Sequence, residues 1–292
     1  MTTPAVGRWA TAGPRARLLA VSDLHVGYAE NWALVRQLRP SSDEDWLLVA
    51  GDVAERPSDL EAVLGMLAGR FAKVVWVPGN HELWCRRNDP VQLRGEQRYR
   101  FLVDLCRTLG VVTPEDEYPI FEGEDGPVRI VPLFLLYDYT FRPEGTTAAQ
   151  ALAAAYASGV VCSDEFFLDP EPYAGRAAWC AERVRLTEGR LAALDDTPMI
   201  LVNHFPLVRQ PTDVLRYPVF AQWCGTVRTA DWHRRFPVRA VVYGHLHIPR
   251  RDLFDGVPFE EVSLGYPREW QVRGLPHGLL RDVLAPHPAR TP

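Results

Sequence analysis

The sequence predicts an α/β sandwich in which strands alternate with helices and the functional residues stand at the carboxyl ends of the strands. Three observations carry that reading. Short apolar runs of strand length alternate with segments of helical periodicity along the 292-residue chain. Five of those runs end in a polar motif: Asp23-Leu24-His25, Gly51-Asp52, Gly79-Asn80-His81-Glu82, Asn203-His204 and Gly244-His245-Leu246-His247. The chain is 47% hydrophobic and 24% charged, an ordinary globular balance, so a sizeable core needs no disulfide framework.

Taken in order, residues up to about Pro14 read as a loose lead-in, and Arg17–Val21 as a short strand running into Ser22-Asp23. Asn31 precedes an amphipathic segment with Leu34, Val35 and Leu38 on one face. Trp46–Ala50 is a second buried strand, ending at Gly51-Asp52. Ser58 with Glu61 three residues later has the form of a capping box. Leu60, Val63, Leu64, Leu67 and Phe71 then recur at helical spacing. Lys73–Val77 is the strand before Gly79-Asn80-His81, and Tyr99, Leu102, Val103, Cys106 and Leu109 mark another amphipathic helix.

Val128–Tyr137 is a long apolar run interrupted by Pro132, which suits a strand near a sheet edge or bulge. The alanine-rich Thr146–Ala157 reads as a helix, Asp164–Gly175 as a proline-bearing loop, and Ala177–Leu194 as a helix despite Gly189. Met199–Val202 and Ala240–Tyr243 supply the last motif-bearing strands, and Val257–Val262 a further one. One domain over residues 15–275 accounts for these elements, with a cap or insertion at about 140–176. The Pro/Arg-rich residues 276–292 are expected to form a mobile tail.

The five cysteines are scattered and form no CxxC pair, which fits free thiols in a reducing compartment. The N-terminus has no secretory pattern, and no apolar run approaches the roughly 20 residues of a membrane span. The cytoplasm is the expected location, with no membrane partner. The net charge of −5 argues against a general DNA-coating protein. No basic stripe with interleaved aromatics appears, so nucleic acid is not an expected partner. Lys73 is the only lysine. Arg86-Arg87 follow His81 and Arg250-Arg251 follow His247, so both pairs are expected near the site, where they would suit an acidic substrate.

The motifs form a metal-ligand set. Asp23 and His25, one residue apart at a strand end, reach a single ion if the backbone turns there. Asp52 has two oxygens with which to bridge two ions, and Asn80 offers a neutral carbonyl oxygen. His204, His245 and His247 complete the set. Such a mixed carboxylate, imidazole and amide shell suits octahedral transition metals such as Mn, Fe or Zn, and is poor for a closed structural zinc site. Gly51-Asp52 alone is a turn, and Asn203-His204 alone a hydrogen-bonded pair. The order of all five at strand ends is what singles them out.

The set resembles that of the calcineurin-like metallophosphoesterases. The resemblance implies a four-layer αββα sandwich with a binuclear metal site at the strand C-terminal ends. Asp23, His25, Asp52 and His247 would hold one ion, and Asp52, Asn80, His204 and His245 the other. His81 would be non-ligating and face the scissile phosphate. Longer stretches, among them PSSDEDWLLVAGDVAER, FAKVVWVPGNHELW, ILVNHFPLVRQP, YGHLHIPR and GYPREW, are similar to the actinobacterial phosphopantetheinyl hydrolases, over roughly Arg17 to Trp270.

That similarity implies removal of phosphopantetheine from the serine of a holo-acyl carrier protein. A metal-activated hydroxide would attack phosphorus and His81 would protonate the leaving oxygen, a contribution of about 10²–10⁴ in rate. The cofactors implied are two divalent or mixed-valence ions, Mn and/or Fe, with Zn as a further candidate. Arg86 and Arg87 would meet the carrier or a phosphate. Trp84 and the Tyr137–Tyr139 cluster would line a groove for the pantetheine arm or else pack in the core, while Glu82 and Asp138 would orient site histidines. The alternative function is a cyclic-nucleotide or other small phosphodiester hydrolase using the same two metals. A binding module with lost catalysis is disfavoured, because every ligand position and His81 are filled.

Overall fold

The computed structural model describes residues 16–275 and 278–285. Its strands are β1 (Leu18–Val21), β2 (Trp46–Val49), β3 (Lys73–Trp76), β4 (Ile120–Gly123), β5 (Gly126–Pro132), β6 (Met199–Val202), β7 (Val238–Tyr243), β8 (Arg250–Phe254), β9 (Val257–Glu261) and β10 (Arg281–Asp282). They form two sheets, β10-β1-β2-β3 and β4-β5-β6-β7-β9-β8. The strands that carry the motifs pair with one another or their neighbours in parallel, β3 at its sheet edge included, while the other three edge strands, β10, β4 and β8, pair antiparallel.

Alternation along the strands builds the layers. Successive side chains of a strand point to opposite faces. Leu18, Ala20, Leu48 and Val75 of the first sheet cluster with Phe121, Val128, Ile130, Ile200, Val202, Ala240 and Val242 of the second, so these residues form the core between the sheets. The intervening Leu19, Val21, Leu47, Val49, Val74 and Trp76 fall in a separate cluster with Leu60, Val63, Leu64 and Leu67 of the helix Pro57–Ala68. Leu201, Val241 and Tyr243 join Trp179, Cys180, Val184 and Leu191 of the helix Arg176–Ala192. Helix, sheet, sheet and helix are the four layers expected.

Several boundaries differ from the sequence expectation. The helix after β2 starts at Pro57 with Arg56 as its N-cap and no side-chain cap bond. Ser58 therefore lies inside the first turn, and proline rather than a capping box sets the start. A capping box does form at Thr147 with Gln150, opening the helix Ala148–Ala157. The expected loop from Asp164 begins with a short helix, Asp164–Phe167. The run Val128–Tyr137 stops being strand at Pro132, the last residue of β5, which sits inside its sheet between β4 and β6.

Part of the expected tail is built into the first sheet. Arg281–Asp282 pair with β1 and Val283 is buried. Residues 1–15, 276–277 and 286–292, which include the lead-in and the end of the tail, lie outside the described residues. Cys85, Cys106, Cys162, Cys180 and Cys224 are free thiols, as expected. No helix among the described residues is long and apolar enough to cross a membrane.

Candidate active site

All five motifs meet at one end of the sandwich. Ser22 N–H donates to Val262 O at 3.0 Å and Leu264 N–H donates to Ser22 O at 2.9 Å, which stitches the end of β1 to the residues after β9. The two sheets are thus tied together directly behind the site. Left-handed backbone is rare and strained for residues other than glycine, at about 1–3 kcal/mol each. Asp23, His25, Asp52, His245 and His247 all adopt it, with φ from 41° to 69°. Each sharp turn at a strand end swings its side chain into a common centre. Glycine is required where the backbone passes the carboxylates: a Cβ at Gly79 would collide with Asp52, and one at Gly244 with Asp23.

The donor chemistry of the cluster calls for cations. His204 Nδ1 lies 2.9 Å from Ala50 O. A carbonyl only accepts, so Nδ1 carries the hydrogen and Nε2 a lone pair; burial lowers the His204 pKa and keeps the ring neutral. Asn80 Nδ2 donates to Asp164 Oδ1 at 2.9 Å, which turns Asn80 Oδ1 toward His204 Nε2 at 3.1 Å. Asp52 Oδ2 stands 3.5 Å from the same nitrogen. With Asp52 ionised, three lone-pair atoms face one another with no hydrogen to share, which is repulsive unless a cation lies among them. His245 Nε2 is buried with no hydrogen-bond partner.

A second convergence lies beside the first. His247 Nε2 is 3.0 Å from Asp23 Oδ1 and 3.1 Å from His25 Nε2. His25 Nε2 is 3.8 Å from Asp23 Oδ1 and 3.9 Å from Asp52 Oδ2. Burial opposes a charge on His247, yet Asp23 and Glu269 outweigh it and raise its pKa to about 10. Positive charge is favoured at this point. Burial, with Glu82 and Asp23 adding repulsion, raises the Asp52 carboxyl well above its usual range. The seven residues therefore fit a pair of metal ions in donor type and direction, with Asp52 common to both convergences.

His81 shares this centre. Its Nε2 is 3.7 Å from Asp52 Oδ2 and 3.4 Å from Tyr266 Oη, and its Nδ1 is 3.4 Å from Glu55 Oε1. Trp84 lies against the ring, with centroids 3.7 Å apart and planes at 30°. His81 falls close enough to His25 and Asp52 to count among groups of metal-ligand reach.

Outer carboxylates fix the inner residues. Glu82, fully buried, accepts the N–H groups of Asp52, Val53 and Gly79 at 3.0, 2.6 and 2.9 Å. Burial pushes its carboxyl up to about 7 against those donors. It ties two motif loops together through their backbones and touches no histidine, unlike the role expected for it. Glutamine cannot accept at both ends, so Glu82→Gln leaves a buried N–H unpaired. That should cost about 1–3 kcal/mol, read as a fall in the thermal midpoint; an unchanged midpoint would contradict the role.

Glu269 Oε2 takes the Nδ1 hydrogen of His247 at 2.7 Å and accepts Tyr266 N–H at 2.8 Å. An outer partner of this kind is worth about 10–100-fold in metal affinity. Glu269→Ala should weaken manganese binding by that factor in a titration of the full chain, and wild-type affinity would refute the assignment.

Other expected site residues are elsewhere. Tyr137 is fully buried against Tyr139 and Phe205, so it packs in the core and lines no groove. Asp138 binds Thr140, Thr226 and Arg228 and no histidine. Arg86 lies over Trp84 and Phe167 and pairs with Glu55 at 3.1 Å, which puts it beside the site. Arg87 is exposed. Arg250 and Arg251 belong to β8 and are occupied by Asp252 and Glu260. Sequence reasoning gave no role to Asp164, Glu269, Glu55 or Tyr266. Pro267 at the start of a helix with Glu269 in its first turn was a usable signal, because that glutamate reaches back to Tyr266 N–H and also to His247. A groove of about 420 Å³ opens beside His25, lined also by Gly27, Tyr28, Glu55, Arg56 and Asp59.

Two sheets meeting at a buried Asp, His and Asn cluster of this donor pattern define a metallophosphoesterase. Residues 16–249 match the family of calcineurin-like phosphoesterases, and the chain belongs to that family. It is a phosphodiester hydrolase. Over 284 residues it is 55% identical to the acyl-carrier-protein phosphodiesterase PptH of Mycobacterium tuberculosis, spanning 97% of this chain and 87% of that protein. It is also similar to a crystal structure of phosphopantetheinyl hydrolase PptH from Mycobacterium tuberculosis, with a TM-score of 0.93 and 54% identity, covering 96% of this chain and all of that one.

Proposed function

We propose that the chain hydrolyses the phosphodiester joining phosphopantetheine to a serine of holo-acyl carrier proteins, in the cytoplasm. The observation that carries the reading is 55% identity to an acyl-carrier-protein phosphodiesterase over 97% of this chain. Asp23, His25, Asp52 and His247 would hold one ion, and Asp52, Asn80, His204 and His245 the other, with Mn and/or Fe favoured by this N/O set. When bound, two such ions supply Lewis acidity, neutralising charge on phosphoryl oxygens and making water nucleophilic near neutral pH.

The chain's own residues do the rest. His81, 3.4 Å from Glu55 through Nδ1, holds the proton at Nε2 for the departing serine oxygen. Burial, with His247 and His204 adding repulsion, lowers its pKa. The negative charge of a bound phosphodiester acts in the opposite direction and favours the protonated ring. The water oxygen ends on phosphorus and gives up one proton to solvent, the bond from phosphorus to the serine oxygen breaks, that oxygen takes the His81 proton, and His81 is reprotonated from solvent. The groove beside His25 offers room for the pantetheine arm, with Tyr28 and Arg56 on its walls. Arg86, beside Glu55, would meet an acidic carrier surface.

The test compares kcat/KM of the manganese-loaded chain on a holo-acyl carrier protein, a cyclic nucleotide and an aryl phosphodiester. The carrier is expected to be turned over most efficiently. A carrier left intact while the small diesters are cleaved would remove the substrate assignment and keep the hydrolase.

A further inference from the structure

We propose that Asp164, on the short helix Asp164–Phe167 within the segment between β5 and β6, is a positioning residue for the metal centre: it decides which end of the Asn80 amide faces the ion site. The proposal rests on the metal-centre reading above and names a residue outside all five motifs.

The two ends of an asparagine amide have nearly the same shape and opposite polarity. The oxygen end ligates a cation, and the NH₂ end repels one. Shape alone does not choose between them. Asp164 does, because its carboxylate only accepts. Its Oδ1 takes Asn80 Nδ2 at 2.9 Å, and the amide oxygen is left facing His204 Nε2 at 3.1 Å. The same Oδ1 takes Trp84 Nε1 at 2.6 Å. Trp84 is the ring that lies against His81. One fully buried oxygen thus anchors a metal ligand and the platform of the proton donor.

The anchor is itself held firmly. Arg176 Nη2 donates to the Asp164 carbonyl at 2.6 Å. The adjacent Glu165 accepts from Tyr139 Oη, Arg176 Nη1 and Trp223 Nε1 at 2.9, 3.0 and 2.8 Å. Docking of the short helix is therefore transmitted to the site through Asp164.

The test measures manganese binding to the full chain by dialysis and elemental analysis, with thermal midpoints taken with manganese and in chelator. Wild type is expected to bind two ions per chain. Asp164→Ala should weaken one of them by about 10–100-fold and shrink the manganese-induced rise in midpoint. Asp164→Asn, which keeps one acceptor oxygen for both N–H groups, should recover most of the affinity. Trp84→Phe, which removes the other donor and leaves Asn80 held, should bind both ions as wild type does. If the alanine variant does not fold, Asp164→Leu fills the volume without an acceptor and carries the same expectation. Wild-type affinity for both ions in the alanine or leucine variant would overturn the proposal, as would an asparagine variant no better than alanine. A wild-type chain that binds no ion would overturn the metal centre itself, and the proposal with it.

Discussion

Replacing His81 by alanine is expected to lower kcat on a holo-carrier by about 10²–10⁴ while both ions stay bound. The leaving group sets the size of the effect. A serine alkoxide departs poorly without a proton, whereas a nitrophenolate departs well without one. The same variant should therefore lose far less activity on an activated aryl phosphodiester. Parallel kinetics on the two substrates, with metal content measured on the same preparations, checks this. The comparison is needed because His81 Nε2 lies only 3.7 Å from Asp52 Oδ2, within reach of the ligand cluster. An equal loss on both substrates, accompanied by loss of an ion, would make His81 a ligand and remove it as proton donor.

The second large effect belongs to Asp52→Asn. Asp52 Oδ2 stands 3.5 Å from His204 and 3.9 Å from His25, so it serves both convergences. Asparagine tolerates the left-handed backbone at this position and keeps an acceptor for His81 N–H, now bonded to Asp52 Oδ1 at 2.9 Å. What it removes is the charge. Metal ions contribute several kcal/mol of charge stabilisation in the transition state, so activity should fall by about 10³-fold or more. Stability should move the other way in chelator. Burial, Glu82 and Asp23 hold the Asp52 pKa above its unfolded value. Above the unfolded pKa the ionised carboxylate therefore costs folding free energy. The metal-free variant should melt above metal-free wild type at neutral pH, and manganese should no longer raise its midpoint. A lower metal-free midpoint, with manganese binding kept, would contradict the role.

The cluster was legible because its residues follow strand ends marked by local signals: an apolar run, a polar pair and, before Asp52, Asn80 and His245, a glycine. Leu18 and Ala20 are buried between the sheets, and Leu19 and Val21 outside them, so a strand covered on both faces reads as a short continuous apolar run. What stayed hidden depends on contacts between distant segments. Asp164 reaches Asn80 across 84 residues and Glu269 reaches His247 across 22, and nothing local to Asp164 announces its partner. Tyr137 illustrates the opposite error. An aromatic beside a polar cluster reads equally as a groove wall or as core, and only the packing of Tyr139 and Phe205 around it decides. Strand β10 escaped notice because a two-residue pairing carries no periodicity. Ser58 was misread because a capping-box pattern competes with an adjacent proline, and the proline's fixed φ determines where the helix begins.

The most direct test of the account is mass spectrometry of a holo-acyl carrier protein incubated with the manganese-loaded chain in water labelled with heavy oxygen, beside the same chain in chelator. The account predicts an unmodified serine on the carrier, released phosphopantetheine carrying one labelled oxygen on its phosphate, and no reaction in chelator. An intact carrier, or cleavage that places the label on the carrier, would contradict it.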